Sequence, residues 1–504
     1  MAGTPRIAVV GSGPSGFYTV EALLRSIPDC RIDMIERLPM PHGLVRYGVA
    51  PDHQKLKQVA ATFDMIALDP RFALYGGIRI GEDVSLQNLM DRYHAVVLAT
   101  GSAVGRTLGV PCESLPQVYS SAEFVRWYNG HPDQVSLRPD LRGSSAAVIG
   151  NGNVALDVCR LLVRSLDDLR ASDIPAPMLS SFEQRGVRQV HMIGRSAVTA
   201  TKFSFKLFRQ LADLPGVQIR VPQALHWHGD MWCGAASDDA ARVAQWLRAN
   251  ACDATPTQDI VVNFWFDAVP TAFLGEDRVA GVALESARQI AAVPKVLTCD
   301  LAVSCIGYDS QPPGGVPIDP RTGRVRHCSG QVVDADGVDV AGLFVAGWIK
   351  RGPTGVIGTN RVDGIETARA LVQRLAQLVE RIPADAPSLA PLLDTRSVAP
   401  VSYGQWLELD RWEKGRGALL GKPREKLLST PEAIEVLRGI ARDAADDAMN
   451  RPCDIARPER LAPGPTRRLI GPKHLEDSEP DAQEPNLSQQ ASAGNPPHGV
   501  GDKT

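Results

Sequence analysis

The chain has 504 residues, 44% of them hydrophobic, with 54 basic and 57 acidic side chains and a net charge of −3. That length accommodates two ordinary domains of about 100 to 200 residues each. The near-neutral charge gives no global argument for nucleic acid, and no apolar run approaches the roughly 20 residues that span a bilayer. Neither nucleic acid nor a membrane is therefore expected as a partner. Nine cysteines are scattered without a single Cys-x-x-Cys pair, which argues against a disulfide framework, a metal cluster and an internal dithiol; no metal site is expected.

The first elements follow almost directly on Met1, so a cytoplasmic, bacterial setting is expected. Ile7 to Val10 reads as a strand, and it runs into Gly11-Ser12-Gly13-Pro14-Ser15-Gly16 and a helix from Phe17 to Leu24. Glycines let a backbone approach phosphate, and the helix end supplies free N–H groups and positive partial charge. The next strand, Arg31 to Ile35, is closed by Glu36, about twenty residues past Gly16, where a carboxylate can bind a ribose hydroxyl. Val96 to Thr100, followed by Gly101, reads as a buried strand and a glycine turn.

A second unit repeats the pattern with a change. Ala146 to Ile149 is the strand, Gly150-Asn151-Gly152-Asn153-Val154-Ala155 the glycine loop, Val154 to Val163 the helix, and Arg188 to Ile193 the next strand. That strand ends in Gly194-Arg195 rather than a carboxylate, and arginine there accommodates a 2′-phosphate. The second site thus reads as NADP(H) and the first, with Glu36, as the ADP half of FAD. Two dinucleotides in one chain suggest electron transfer between them.

Further strands are expected at Ile260 to Trp265 and Asp300 to Ile306. Leu343 to Ala346 leads into a glycine-rich turn from Gly347 to Asn360 that opens a helix at about Asp363 to Leu378. Such a turn after a strand of a doubly wound sheet is where ligand meets backbone, so this segment is expected against the flavin ring. The expected fold is α/β, two Rossmann-like dinucleotide-binding domains with the NADP domain inserted in the FAD domain. Its boundaries are 1–105 and 325–443 for the FAD part and 106–324 for the NADP(H) part. Residues 444–504, rich in proline, acid, Gln and Ser, are expected to be a disordered tail.

Three stretches, Pro41 to His53, Gly150 to Asp157 and Gly347 to Thr359, together with Trp127 to Pro132, resemble the adrenodoxin reductase type of ferredoxin-NADP reductase, in a bacterial member. The resemblance runs from about Arg6 to about Leu437. It implies that NADPH passes a hydride to FAD and that electrons leave singly to a ferredoxin, an acidic iron–sulfur protein. It also implies site residues. Gly11, Gly13, Pro14, Ser15 and Gly16 would bind the FAD pyrophosphate, Glu36 the ribose and Val84 the adenine end. Gly43, Leu44, Gly347 and Trp348 would line the flavin, with the backbone of Gly355, Val356 and Ile357 on the isoalloxazine. Arg106, Asn151, Gly152, Asn153, Val154, Arg195 and Gly355 would contact NADP(H). His53 and Asp157 would lie near flavin and nicotinamide, as polarising and orienting catalytic groups.

The chain departs from the family at one place. The family's Gly-Arg-Arg-Gly element is here Gly194-Arg195-Ser196-Ala197, and two glutamate positions are Leu207 and Gln210. A weakened preference for NADPH over NADH follows, unless Lys202, Lys206 and Arg209 compensate. Docking of an acidic partner is expected on Arg46, Lys55, Lys57, Lys350 and Arg351, with Arg242 and Arg248, through a salt-sensitive basic patch. Tyr403 to Leu437 is expected to close the FAD domain. A monomer is the expected state. Two other readings stay open: another NAD(P)H-dependent flavoprotein, such as a glutamate synthase type flavin subunit, and an FAD-binding protein with a degenerate NADP site.

Overall fold

The structure, a computed structural model, describes residues 4–222, 234–251, 257–288, 294–383 and 385–450, the last few of them in backbone only. Residues Met1–Asp447 form one compact unit. The expected disorder beyond Asn450 lies outside the described residues, while the helix Thr430–Asn450 runs past the expected limit at 443.

Two sheets organise this unit. The first has seven strands in the order His327–Cys328, Gln331–Val333, Asp339–Val345, Ala95–Leu98, Arg6–Val10, Arg31–Glu36 and Phe72–Gly76. Its five strands from Asp339–Val345 onward are parallel. The second has six parallel strands, ordered Val118–Ser120, Leu301–Ser304, Ser145–Ile149, Gln189–Ile193, Ile260–Trp265 and Val217–Arg220. Both central strands, Arg6–Val10 and Ser145–Ile149, are apolar and almost wholly buried, as parallel strands covered on two faces require. Each sheet carries two separate apolar clusters, one with Phe17 and Met34 and another with Val96 and Leu98 in the first, one with Leu156 and Phe264 and another with Ile193 and Val282 in the second.

Most sequence-derived strands and the second fingerprint helix recur with shifts of a residue or two at their ends, Ile260–Trp265 without any, while the first fingerprint helix starts three residues earlier, at Pro14, and the strand expected from Leu343 starts four residues earlier, at Asp339. The last helix of the glycine-rich turn differs more: it starts at Ile357, six residues before the expected Asp363, and runs to Gln373. Gly358 and Gly364 lie inside it. Gly364 is where this helix meets the first fingerprint helix, Pro14–Ser26: a Cβ there would stand 2.9 Å from the Thr19 nitrogen. Gly364 is thus a close-packing residue.

The first sheet draws its strands from both ends of the chain and the second from its middle. The crossing is marked by the short strands Val104–Gly105 and Tyr308–Asp309, which pair antiparallel. The helix Tyr403–Leu419 then closes over the first sheet, burying Tyr403, Trp406 and Leu409, with Val401 bridged to Gly76.

Candidate dinucleotide sites

The first fingerprint places a helix end at the edge of the first sheet. Gly13 caps the helix Pro14–Ser26 in extended conformation, with no side chain accepting from its first N–H groups. The helices starting after Ser85, Ser120 and Ser402, by contrast, carry full capping boxes. Unsatisfied helix-start N–H groups suit an anion. A Cβ on Gly13 would meet nothing within 4 Å, whereas one on Gly16 would stand 2.0 Å from the Gly11 carbonyl oxygen. The first glycine opens on space and the second locks helix to strand.

Glu36 is fixed at this loop: one carboxylate oxygen accepts from the Ser12 N–H at 2.9 Å and the Ser12 hydroxyl at 2.7 Å, the other from the Leu38 N–H at 3.1 Å. The His42 N–H donates to the Ser12 carbonyl at 3.1 Å, and a Cβ on Gly43 would lie 3.0 Å from the Gly13 Cα, so Gly43 and Leu44 sit over the loop. From the far end of the sequence, Asn360 accepts from the Ser15 hydroxyl at 2.9 Å. Gly347, with φ near 83°, approaches so closely that a Cβ would stand 2.2 Å from the Ser15 Oγ. Its N–H donates to the Asp363 carboxylate, which also pairs with Lys350 at 3.0 Å. Trp348 is half-buried against the Tyr308 ring, 5.9 Å between centroids. Gly355 and Val356 lead into the helix Ile357–Gln373, whose start has no side-chain cap. Of the residues expected here only Val84 is set back, fully buried in the layer with Ile35, Ile78 and Leu89.

The second fingerprint repeats the construction. The helix Asn153–Val163 starts at Gly152 without a side-chain cap, and a Cβ on Gly152 meets nothing within 4 Å. Asn151 keeps a side-chain amide nitrogen that is buried and unpartnered. Arg195 is exposed and makes no ion pair or hydrogen bond through its side chain among the described residues. Arg106 pairs with Asp309 at 2.8 Å. Leu207, at one of the departures from the family pattern, packs into the core of this part and brings nothing to the site.

Between the two loops lies a polar seam. His53 precedes the short helix Gln54–Lys57, and its Nε2 pairs with the Gln210 side-chain oxygen at 2.9 Å. Arg160 is buried and donates to Asp52 and, at 2.9 Å, to Asp157; Arg164 reaches Asp52 at 3.0 Å. Burial would raise Asp52, but the Arg160 guanidinium overrides it and holds this carboxyl below its usual range. Asp157 is raised instead, because its burial outweighs Arg160. Two carboxylates on one arginine are thus shifted in opposite directions from the ordinary carboxyl value. Arg160 and Asp52 are the seam residues that sequence reasoning gave no role. Asp52 adjoins His53 in the quoted stretch, and Gln210 stood out as a departure from the family's glutamate, but its pairing with His53 joins segments 157 residues apart.

The docking expectation needs correction. Arg46 is buried in a two-bond pair with Glu413, at 2.8 and 2.5 Å. Lys57 is tied to Asp173 at 2.7 Å, and Lys350 is 3% exposed between Asp363 and Glu366. These charges hold the fold together because the neighbouring segments supply carboxylates. Lys55 and Arg248 are exposed, Arg351 is half-buried, and Arg242 lies over the Phe205 ring at 4.3 Å. Among the described residues no cluster of His, Cys, Asp or Glu is arranged for a metal ion, no helix is long and apolar enough to cross a membrane, and the six described cysteines are unpaired.

Two glycine-loop helix starts, a carboxylate at one strand end and an arginine at the other define a two-dinucleotide oxidoreductase. Residues 5–196 match the family model described as pyridine nucleotide-disulphide oxidoreductase. The chain is 38% identical over 458 residues to NADPH:adrenodoxin oxidoreductase, mitochondrial, of Bos taurus, covering 86% of this chain and 92% of that protein. It is 36% identical over 460 residues to NADPH-ferredoxin reductase FprA of Mycobacterium tuberculosis, covering 85% and 98%. The solved structure of Mycobacterium tuberculosis FprA in complex with NADPH superposes with a TM-score of 0.78 at 35% identity, covering 86% of this chain and all of that one. The chain belongs to the adrenodoxin reductase and NADPH-ferredoxin reductase family.

Proposed function

We propose that this chain is an FAD-dependent NADPH-ferredoxin reductase, which takes a hydride from NADPH and hands electrons on singly to a ferredoxin. One observation carries the reading: two uncapped glycine-loop helix starts in one compact unit, one beside Glu36 and the other beside an unpartnered Arg195. Family membership at these identities over nine-tenths of the relatives' length supports it. Bound FAD supplies the chemistry that links a two-electron donor to a one-electron acceptor.

The residues then divide the work. Gly11, Gly13, Pro14, Ser15 and Gly16 present backbone to the FAD pyrophosphate, and Glu36, aligned by Ser12, accepts from the ribose. Gly43, Leu44, Gly347 and Trp348 shape the flavin pocket with Gly355, Val356 and Ile357. Asn151, Gly152, Asn153 and Val154 hold the NADP(H) pyrophosphate, and Arg106 and Arg195 its other polar groups. His53 and Asp157 orient the nicotinamide end; the raised Asp157 holds a proton more readily than an ordinary carboxyl. Residues 1–105 with 325–443 form the FAD part and 106–324 the NADP(H) part. The acceptor is an acidic iron–sulfur protein, the compartment the cytoplasm and the working form a monomer.

The test is anaerobic stopped-flow mixing of FAD-loaded protein with NADPH and, separately, with NADH, following flavin bleaching. Fast bleaching by NADPH is expected. Bleaching by NADH alone would mean that Ser196 has changed cofactor choice, and none with either would favour a degenerate flavoprotein. His53→Ala is expected to slow bleaching about tenfold or more, less than the roughly hundredfold and upward of a group that itself transfers a proton, with FAD retained. Electron flow to a ferredoxin should weaken as salt rises; insensitivity to salt would remove the acidic-partner reading.

A further inference from the structure

The second fingerprint is short of positive charge. Ser196 contributes a neutral hydroxyl next to Arg195, and Arg209 is committed to Asp213 at 2.6 Å. Lys202 is uncommitted: its side chain is exposed and has no ion pair or hydrogen bond among the described residues. Its root, however, is fixed, since the Lys202 N–H donates to the Asn151 carbonyl at 2.9 Å. Asn151 is also the residue that a Cβ on Gly194 would touch, at 3.1 Å. Arg195 and Lys202 therefore leave the backbone close to one asparagine of the glycine loop. Just beyond, the Ser204 N–H donates to the Asn153 side chain at 2.9 Å, so the segment is held to the loop at two points. The two segments so joined also hold a buried, unpartnered amide nitrogen, of Asn151, and a buried, unpartnered hydroxyl, of Thr201.

We infer that Lys202 is a phosphate-binding residue of the second site, supplying the positive charge that Ser196 withholds. The inference rests on the NADPH reading above. A lysine ammonium on a four-carbon stem reaches phosphate as a point charge and needs no fixed fork, which suits an exposed side chain whose backbone alone is fixed. Lys206, exposed and unpaired in the first turn of the helix Phe205–Ala212, is the natural control, because its backbone is not bonded to the loop.

The experiment is calorimetric titration of FAD-loaded protein with 2′,5′-ADP, which carries the 2′-phosphate, and with ADP-ribose, which carries only the pyrophosphate. Lys202→Gln is expected to weaken at least one fragment about tenfold, the effect of one charge-assisted hydrogen bond; the fragment affected identifies the phosphate. Lys202→Arg should retain affinity and Lys206→Gln should leave it unchanged, with flavin content and melting temperature as in the parent. Unchanged binding of both fragments to Lys202→Gln overturns the inference. If the parent protein itself fails to prefer 2′,5′-ADP over 5′-AMP, the NADPH reading fails instead.

Discussion

The two glycine loops share a backbone plan and differ in how far the protein's own groups partner their polar atoms. At the first, Glu36 is tied by three hydrogen bonds and Ser15 by Asn360, and chain from both ends of the sequence closes over the loop. At the second, the Asn151 amide nitrogen is unpartnered and Arg195 is unpaired among the described residues. A pre-tied site keeps its geometry at no further ordering cost, whereas one with waiting donors has more to gain when ligand arrives. The proposed roles call for this contrast, with FAD held at the first loop and NADP(H) exchanging at the second.

The sharpest way to break that comparison is to crowd the first loop. Gly16→Val places side chain where even a Cβ stands 2.0 Å from the Gly11 carbonyl oxygen, so flavin is expected to be lost and soluble protein with it. Gly13→Ala, with nothing within 4 Å, should fold and bind FAD less tightly. The ratio of flavin to protein absorbance separates the two, and equal ratios would show that the close approach at Gly16 is not what builds the site.

A smaller effect is expected at the second loop. Arg195→Ala removes a charged donor worth about 1.5 to 3 kcal/mol, which is roughly ten- to a hundredfold in the KM for NADPH, with NADH and flavin content unaffected. Ser196→Arg should move kcat/KM for NADPH against NADH in the other direction. Steady-state kinetics with both nucleotides checks the pair; no change on either substitution would place the 2′-phosphate elsewhere.

The smallest effect is on stability and separates the two sheets by pH. His42, under the closing helix of the first, is lowered to about 3 by burial, helped by Arg46. His191, on the second sheet, is lowered to about 4 by burial alone. A depressed folded-state pKa gives stability that is present above the unfolded value near 6.5 and lost as pH falls toward the folded one. Urea midpoints should therefore decline from pH 7 to pH 5. His191→Gln should shallow the slope by up to one proton, an effect absent if His191 titrates normally.

Much of the site was legible in the chain because its chemistry is local. Gly11 to Gly16 with Glu36, and Gly150 to Val154 with Arg195, lie within single βαβ units, where spacing fixes geometry. The sequence could not reveal which charges were free. Arg46 and Lys350 read as surface cations, and only folding sets Glu413 and Asp363 against them, since burying a cation demands a partner. The meeting of His53 with Gln210, and of Ser15 with Asn360, likewise joins segments far apart in sequence. By itself the sequence determined the two dinucleotide units, because strand, loop and helix in immediate succession leave one way to present backbone N–H groups. The tertiary structure alone decided how those units share a seam, because contacts between distant segments depend on packing that no local pattern encodes.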